Sequence, residues 1–242
     1  MVLIQGDERQ KLLGRGCYGH IPHVLGSRLG SGDHHISPGQ SDICTKKTRD
    51  SRDLVIISEK LDGSSVAVAM HEGLIYALTR SGYPAHTSRW PQHRWFDRWV
   101  HEREYVFDFL EEGERVCGEW LAQAHGTKYA LEHIPFVPFD ILRAGGRASY
   151  EEFNTRLPEI FPRPYILSMG YPMSIEEIEK KLGPYGHHGA LEMAEGVIFK
   201  VERDGIFDFN AKYVRPNKKV GQYLGEDKDP IYNWMPGGGR SW

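Results

Sequence analysis

The sequence predicts an α+β fold of antiparallel sheets flanked by helices. Two observations carry this. Apolar, β-branched runs are joined by short glycine-containing turns, the pattern of hairpins rather than of long parallel crossovers. The helical patterns stand in separate blocks instead of alternating strictly with strands. A third observation removes the main competitor, the doubly wound sheet. No Gly-x-Gly-x-x-Gly opens a helix, and no Walker-type phosphate loop is present.

The elements follow in order. Residues 1–50 are rich in Gly, His and Ser and read as a loop-rich N-terminal extension, part of the same unit as a domain spanning 51–242. Leu54-Val55-Ile56-Ile57 is a strand. Val66, Val68 and Met70 lead through His71-Glu72-Gly73 into Leu74–Leu78, a hairpin. Phe96, Trp99, Val100 and Phe107 recur at near-helical spacing, which predicts a helix over 93–111 ended by Gly113. Strands are expected over 115–121 and 136–142. Ser149-x-x-Glu152 and Ser174-x-x-Glu177 are capping-box patterns, each opening a short helix. Gly196–Val201, Asp204-Gly205 and Ile206–Val214 form a second hairpin. From Pro216 the chain is polar, and Gly237-Gly238-Gly239 reads as disordered.

Composition narrows the class. With 242 residues, 40% hydrophobic and 26% charged, the chain can bury a core. The net charge of -3 does not announce a nucleic-acid partner, although a local basic groove can sit on a neutral protein. Cys17, Cys44 and Cys117 have neither zinc nor disulfide spacing and read as buried thiols in a reducing cytoplasm. The start lacks a signal-peptide pattern, and no apolar run approaches the roughly 20 residues that span a bilayer. His20, His23 and Gly32-Asp33-His34-His35 invite a metal reading but lack a companion carboxylate or cysteine cluster.

The chemistry concentrates at Ser58-Glu59-Lys60-Leu61-Asp62-Gly63, where a lysine stands at the end of an apolar strand. A lysine attacks only as the free amine, so burial or a neighbouring cation must remove its proton. Attack on a nucleotide phosphate also needs cations and carboxylates to manage charge. Arg80 ends the hairpin that follows Lys60, Glu119 lies in an apolar strand, and Glu195 opens another. Lys212 follows the second hairpin turn.

Taken together, Lys60-Leu61-Asp62-Gly63 resembles motif I of the covalent nucleotidyltransferase superfamily of DNA ligases, RNA ligases and mRNA capping enzymes. Arg80-Ser81-Gly82, Gly118-Glu119-Trp120, Phe136–Ile141, Glu195–Lys200 and Ala211–Arg215 resemble its later motifs, in order, over residues 59–215. Glu59 and the Phe136–Ile141 form look most like phage and bacterial RNA ligases. The resemblance implies a nucleotidyltransferase (adenylation) domain that uses ATP with Mg2+ or Mn2+. Lys60 would carry AMP, pass it to a 5′-phosphate RNA end and seal that end to a 3′-hydroxyl.

It further implies that Glu59 meets the adenine amino group and Arg80 the ribose or RNA end. Glu119 would hold a ribose hydroxyl, and Phe139 would stack on adenine. Glu195 would orient metal-bound water, and Lys200 and Lys212 would grip phosphates; Ser65 stands where many RNA ligases have asparagine and would bond a substrate end more weakly. Each has an ordinary alternative: a solvated charge, a core aromatic, or a strand carboxylate paired with an arginine. Asn210 stands where many ligases have a second basic clamp, and Arg215 is the candidate to compensate.

For RNA contact, Arg89–Trp99 and Lys46-Lys47-Thr48-Arg49 are the basic stretches, although Phe96 and Trp99 also suit a core. About 30 residues follow Lys212, so no OB domain is expected. The rival readings are a DNA-end ligase, an adenylyltransferase with another acceptor, and a nucleotide- or RNA-binding module that has lost ligation.

Overall fold

The computed structural model describes residues 10–219, 221–225 and 229–235, so the expected disorder at Gly237–Gly239 lies outside them. In chain order the elements are helix α1 (Pro38–Thr45), strands β1 (Asp53–Lys60), β2 (Ser64–His71) and β3 (Leu74–Thr79), and helix α2 (Pro91–His101). Strands β4 (Arg115–Trp120), β5 (Phe136–Arg143) and β6 (Gly146–Arg147) precede helix α3 (Tyr150–Arg156). Strand β7 (Ile166–Met169), helix α4 (Ile175–Leu182), and strands β8 (Gly196–Arg203) and β9 (Ile206–Val214) complete the set. Every described strand ladder is antiparallel, as the α+β reading requires. None of the described residues builds an OB barrel, and none of their helices is long and apolar enough to cross a membrane.

The chain divides into two compact units. The first comprises the described part of Met1–Gly19 with Ser64–Trp120 and Pro138–Phe161. The second comprises His20–Gly63, Leu121–Val137 and the described part of Pro162–Trp242. Of the first 50 residues, those described fall in both, 10–19 in the first and 20–50 in the second.

In the first unit the sheet order is β3-β2-β4-β5-β6. Strand alternation sends Ala67, Ala69, Leu78 and Cys117 to one face, where Cys17 and Phe139 pack. Trp120 leaves on the other face, against Phe96 and Trp99 of α2. Helix α2 is shorter than the spacing predicts. It begins at Pro91, whose fixed φ suits the first helical position. It ends at His101, because Arg103 adopts φ -138° and a 3-10 turn over Glu104–Phe107 follows. Phe107 is still fully buried, so the apolar spacing marks the buried face correctly across the break.

In the second unit the order is β7-β1-β8-β9. Val55, Ile57, Val197, Phe199, Val201 and Ala211 bury one face. The β8–β9 turn places Asp204 (φ 53°) and Gly205 (φ 74°) in the left-handed region, the geometry of a tight hairpin turn. The box at Ser174 is complete, with Ser174 and Glu177 bonded reciprocally. At Ser149 only half forms, because Arg143 and Arg156 hold the Glu152 carboxylate. Helix α1 is an element missed in the loop-rich reading of residues 1–50, and it too carries a full box, Ser37 with Gln40, followed by Pro38.

Gly196 lies opposite Lys60 in the β1–β8 register. Its φ is +156°, and a Cβ there would run into the Tyr213 carbonyl oxygen. Gly196→Ala is therefore expected to cost about 1–3 kcal/mol. A thermal melt checks this, with a fall of roughly 2–4 °C per kcal/mol for a chain of this size.

Candidate active site

Lys60 ends β1 in the second unit. The β1–β8–β9 register places Lys60 and Ser58 on one sheet face with Ile198, Lys200, Asn210 and Lys212. The Lys60 ammonium donates to Glu195 Oε2 at 2.6 Å, and its side chain is 21% exposed. Burial pushes the Glu195 carboxyl above its ordinary range, while the Lys60 charge opposes that rise. The nucleophile candidate is thus held by a buried carboxylate that has a raised proton affinity.

Lys212 is half-buried and pairs with Asp33 at 3.4 Å. Burial holds its ammonium below the ordinary lysine range; Asp33 opposes this, and the Lys60 charge adds to it. Lys200 shares the face but sits four residues, roughly 13 Å, along β8 from the position opposite Lys60. The second unit thus brings Lys60, Glu195 and Lys212, three residues singled out in the sequence, to one end of its sheet.

A second ion pair was missed. Asp62, two residues after the nucleophile candidate, is buried and pairs with Lys218 at 3.1 Å. It also accepts from Thr127 Oγ1 at 3.0 Å and from the Gly126 N–H at 3.2 Å. Burial opposes ionisation, yet the His125 hydrogen bond and the Lys60 and Lys218 charges hold the Asp62 carboxyl down at about 2. Lys218 is itself 3% exposed and donates to the Gly126 and Met193 carbonyls. Asp62 lay in the quoted motif; Lys218 carried no local signal, being one lysine in a polar stretch.

Arg215 does not compensate for Asn210. Its guanidinium donates to the Gly183 carbonyl at 2.6 Å and forms an ion pair with the Glu179 carboxylate at 2.8 Å. That satisfies the C-terminal end of α4, where carbonyls lack intrahelical donors. Arg49, the arginine of the second basic stretch, is likewise occupied, by Asp53 and Asp208. Phe96 and Trp99 of the first stretch are core residues, while Arg89 lies over the Trp90 ring at 4.5 Å.

Glu59 leaves the sheet on the face opposite Lys60, in register with Val197. It is 2% exposed, accepts the His187 N–H at 2.8 Å, and lies where a Cβ on Gly186 would stand. Burial lifts its carboxyl from 4.5 to about 7, against the His187 hydrogen bond. The folded state therefore favours the neutral acid. This stabilisation is complete below about pH 4.5 and is lost as pH rises through about 7. Melting temperature is expected to fall over that window, and Glu59→Gln to remove the Glu59 part of the fall. A fall of unchanged size in the variant would assign it to other groups, among them Glu195.

Ser65, Arg80, Glu119 and Phe139 belong to the first unit. Ser65 and Glu119 are direct register partners on β2 and β4 and share a face. Phe139 meets Tyr18 edge-on at 5.0 Å. Arg80 donates to the Gly19 carbonyl at 2.9 Å.

No group of three or more His, Cys, Asp or Glu side chains among the described residues forms a metal cage. His20 and His23 instead pair with Asp33, at 3.4 and 3.1 Å. The donor set does fit a divalent cation that arrives with phosphates, since such ions need only one or two protein carboxylates. Glu195 is the buried carboxylate that lies beside Lys60. The three cysteines are free and buried, and burial raises Cys17 and Cys44 to about 11 and about 12.

A family model described as RNA ligase matches residues 53–218. Among solved structures, the chain is similar to an archaeal ATP-dependent RNA ligase, at TM-score 0.51 and 21% identity, covering 81% of this chain and 48% of that one. It is also similar to a mutant Naegleria gruberi RNA ligase with ATP and Mn, at TM-score 0.52 and 16% identity, covering 81% of this chain and 59% of that one. At these identities the likeness shows the fold alone. The chain spans about half the length of the archaeal ligase. No curated protein sequence matches it.

Proposed function

The chain belongs to the RNA ligase family, and on that premise we propose that it is an ATP-dependent RNA ligase-like enzyme working through a lysyl-AMP intermediate. The observation that carries this reading is the Lys60–Glu195 pair at 2.6 Å, on the same sheet face as the half-buried Lys212. The Lys60 amine attacks the α-phosphorus of ATP. An N–P bond forms, the bond to the β,γ-phosphates breaks, and pyrophosphate leaves. Glu195, hydrogen-bonded to Nζ and raised in proton affinity by burial, takes the Lys60 proton. Lys212 offsets charge on the phosphate oxygens.

An RNA 5′-phosphate oxygen then attacks the lysyl-AMP phosphorus and frees the lysine. A 3′-hydroxyl attacks the adenylylated end, forming the phosphodiester and releasing AMP. Mg2+ or Mn2+ held by Glu195 through water would neutralise phosphate charge.

By the family motifs that they match, Glu119 would hold a ribose hydroxyl, Phe139 would stack on adenine and Arg80 would meet the ribose or the RNA end, while Ser65 would bond a substrate end. Lys200 is a further phosphate contact. For Glu59 we favour a supporting role, holding the loop of His187, whose ring stacks on Tyr165 at 3.6 Å between centroids. Free buried cysteines suit the cytoplasm.

Supplying pre-adenylylated RNA and DNA ends with a 3′-hydroxyl acceptor tests the substrate. Sealing of RNA ends is the expected result. Sealing of DNA alone would transfer the assignment to a DNA-end ligase. Label on Lys60 with no sealing of either would favour an adenylyltransferase with another acceptor.

A further inference from the structure

We propose that Asp33, delivered by residues 20–36 ahead of the family-matched region, is a positioning residue that holds Lys212 in place as an ammonium for its anionic ligand. The inference rests on the ligase reading only for what Lys212 grips.

The delivery is built from backbone. Strand β9 is the last named strand of the second unit's sheet, and residues 22–24 pair along its outer side: the Lys212 N–H donates to the Pro22 carbonyl at 2.9 Å, and the Val24 N–H donates to the Lys212 carbonyl at 3.0 Å. His23 in turn exchanges bonds with the next stretch. Its N–H donates to the His34 carbonyl at 2.9 Å, and its carbonyl accepts from the Ile36 N–H at 2.8 Å. This small ladder turns the chain back, so that Asp33 returns to the lysine beside which His23 runs.

The Asp33 carboxylate is then fixed from several sides. The Gly30 N–H donates to Oδ2 at 2.9 Å, His23 Nε2 lies 3.1 Å from Oδ2, and His20 Nε2 lies 3.4 Å from Oδ1. His23 is itself buried and anchored by Ser27 Oγ at 2.6 Å. With Oδ1 at 3.4 Å from Lys212 Nζ, an immobilised anion faces a half-buried cation. The charged and titratable groups facing Lys212 are Asp33 and His23 from this segment, Lys60 from β1, and Glu195 ahead of β8; His20 lies against Asp33, and His35 acts on His23. Burial and Lys60 both disfavour the Lys212 charge; Asp33 favours it. A lysine that must attract phosphate inside a partly desolvated site needs such a counter-charge to stay protonated.

The test reads Lys212 directly. Wild type, Asp33→Asn and Asp33→Glu are treated with an amine-acylating reagent at about pH 8, where only the unprotonated amine reacts. Acylation at Lys212 and at buried Lys218 is quantified by peptide mass spectrometry. The expected result is acylation of Lys212 at least roughly threefold faster in Asp33→Asn, with Lys218 unchanged and Asp33→Glu close to wild type. An unchanged Lys212 rate in Asp33→Asn would overturn the proposal. So would Lys212 and Lys218 rising together, since that is loss of structure rather than loss of a partner. In parallel, Asp33→Asn is expected to slow labelling by α-labelled ATP roughly tenfold or more. Absence of label in the wild type would sink the ligase reading while leaving the acylation result to decide on Asp33.

Discussion

Lys60→Ala is expected to lose covalent labelling by α-labelled ATP by at least about a thousandfold, the scale seen when a covalent nucleophile is removed. The neighbouring lysines cannot substitute. Lys212 is turned to Asp33, and Lys218 is buried against Asp62, Gly126 and Met193. Lys60→Arg is expected to fail equally, because a guanidinium stays charged and cannot attack. The alanine variant should remain folded, since the Glu195 left behind already has a raised proton affinity and can become neutral. The check is label retained on denatured protein, with a thermal melt of each variant alongside. Equal label in wild type and Lys60→Ala would remove Lys60 from the chemistry.

The second large effect is on stability. Asp62 and Lys218 are 5% and 3% exposed and lie 3.1 Å apart. Removing one partner strands a buried charge, which costs about 3–5 kcal/mol. For a chain of this size that corresponds to a melting temperature lower by about 10 °C. Asp62→Asn and Lys218→Met are each expected to show a fall of that order. The double variant should lose clearly less than the sum, because no charge is left without its partner. Strict additivity would mean that the two side chains act independently. Because Asp62 follows Lys60 by two residues, each single variant is also expected to label more slowly at a temperature where it remains folded.

What was legible in the sequence depended on range. Strand β1 and both hairpins were visible because apolar alternation and glycine turns are local signals. Lys60, Glu195 and Lys212 were visible because each stands at a strand end or past a turn inside a recognisable motif. The opposite faces of Glu59 and Lys60 also follow from strand alternation alone. Helix α1 was legible in principle, through Ser37-Pro38 and Gln40, but the surrounding glycines hid it. The end of α2 was not legible, since Phe107 is buried whether the chain is α-helical or in a 3-10 turn.

Arg215, Lys218 and Asp33 were beyond sequence reasoning for one reason. Their partners lie 36, 156 and 179 positions away, at Glu179, Asp62 and Lys212, and no local pattern encodes such pairings. Arg215 was the candidate to replace a phosphate clamp and closes a helix end; Lys218, one residue of a polar stretch, is buried.

The most direct test of the account is to incubate the wild-type protein with ATP and a divalent cation, denature it, and map the AMP adduct by peptide mass spectrometry. A single acid-labile adduct on Lys60 is expected. No adduct, or an adduct on another residue such as Lys212, would contradict it.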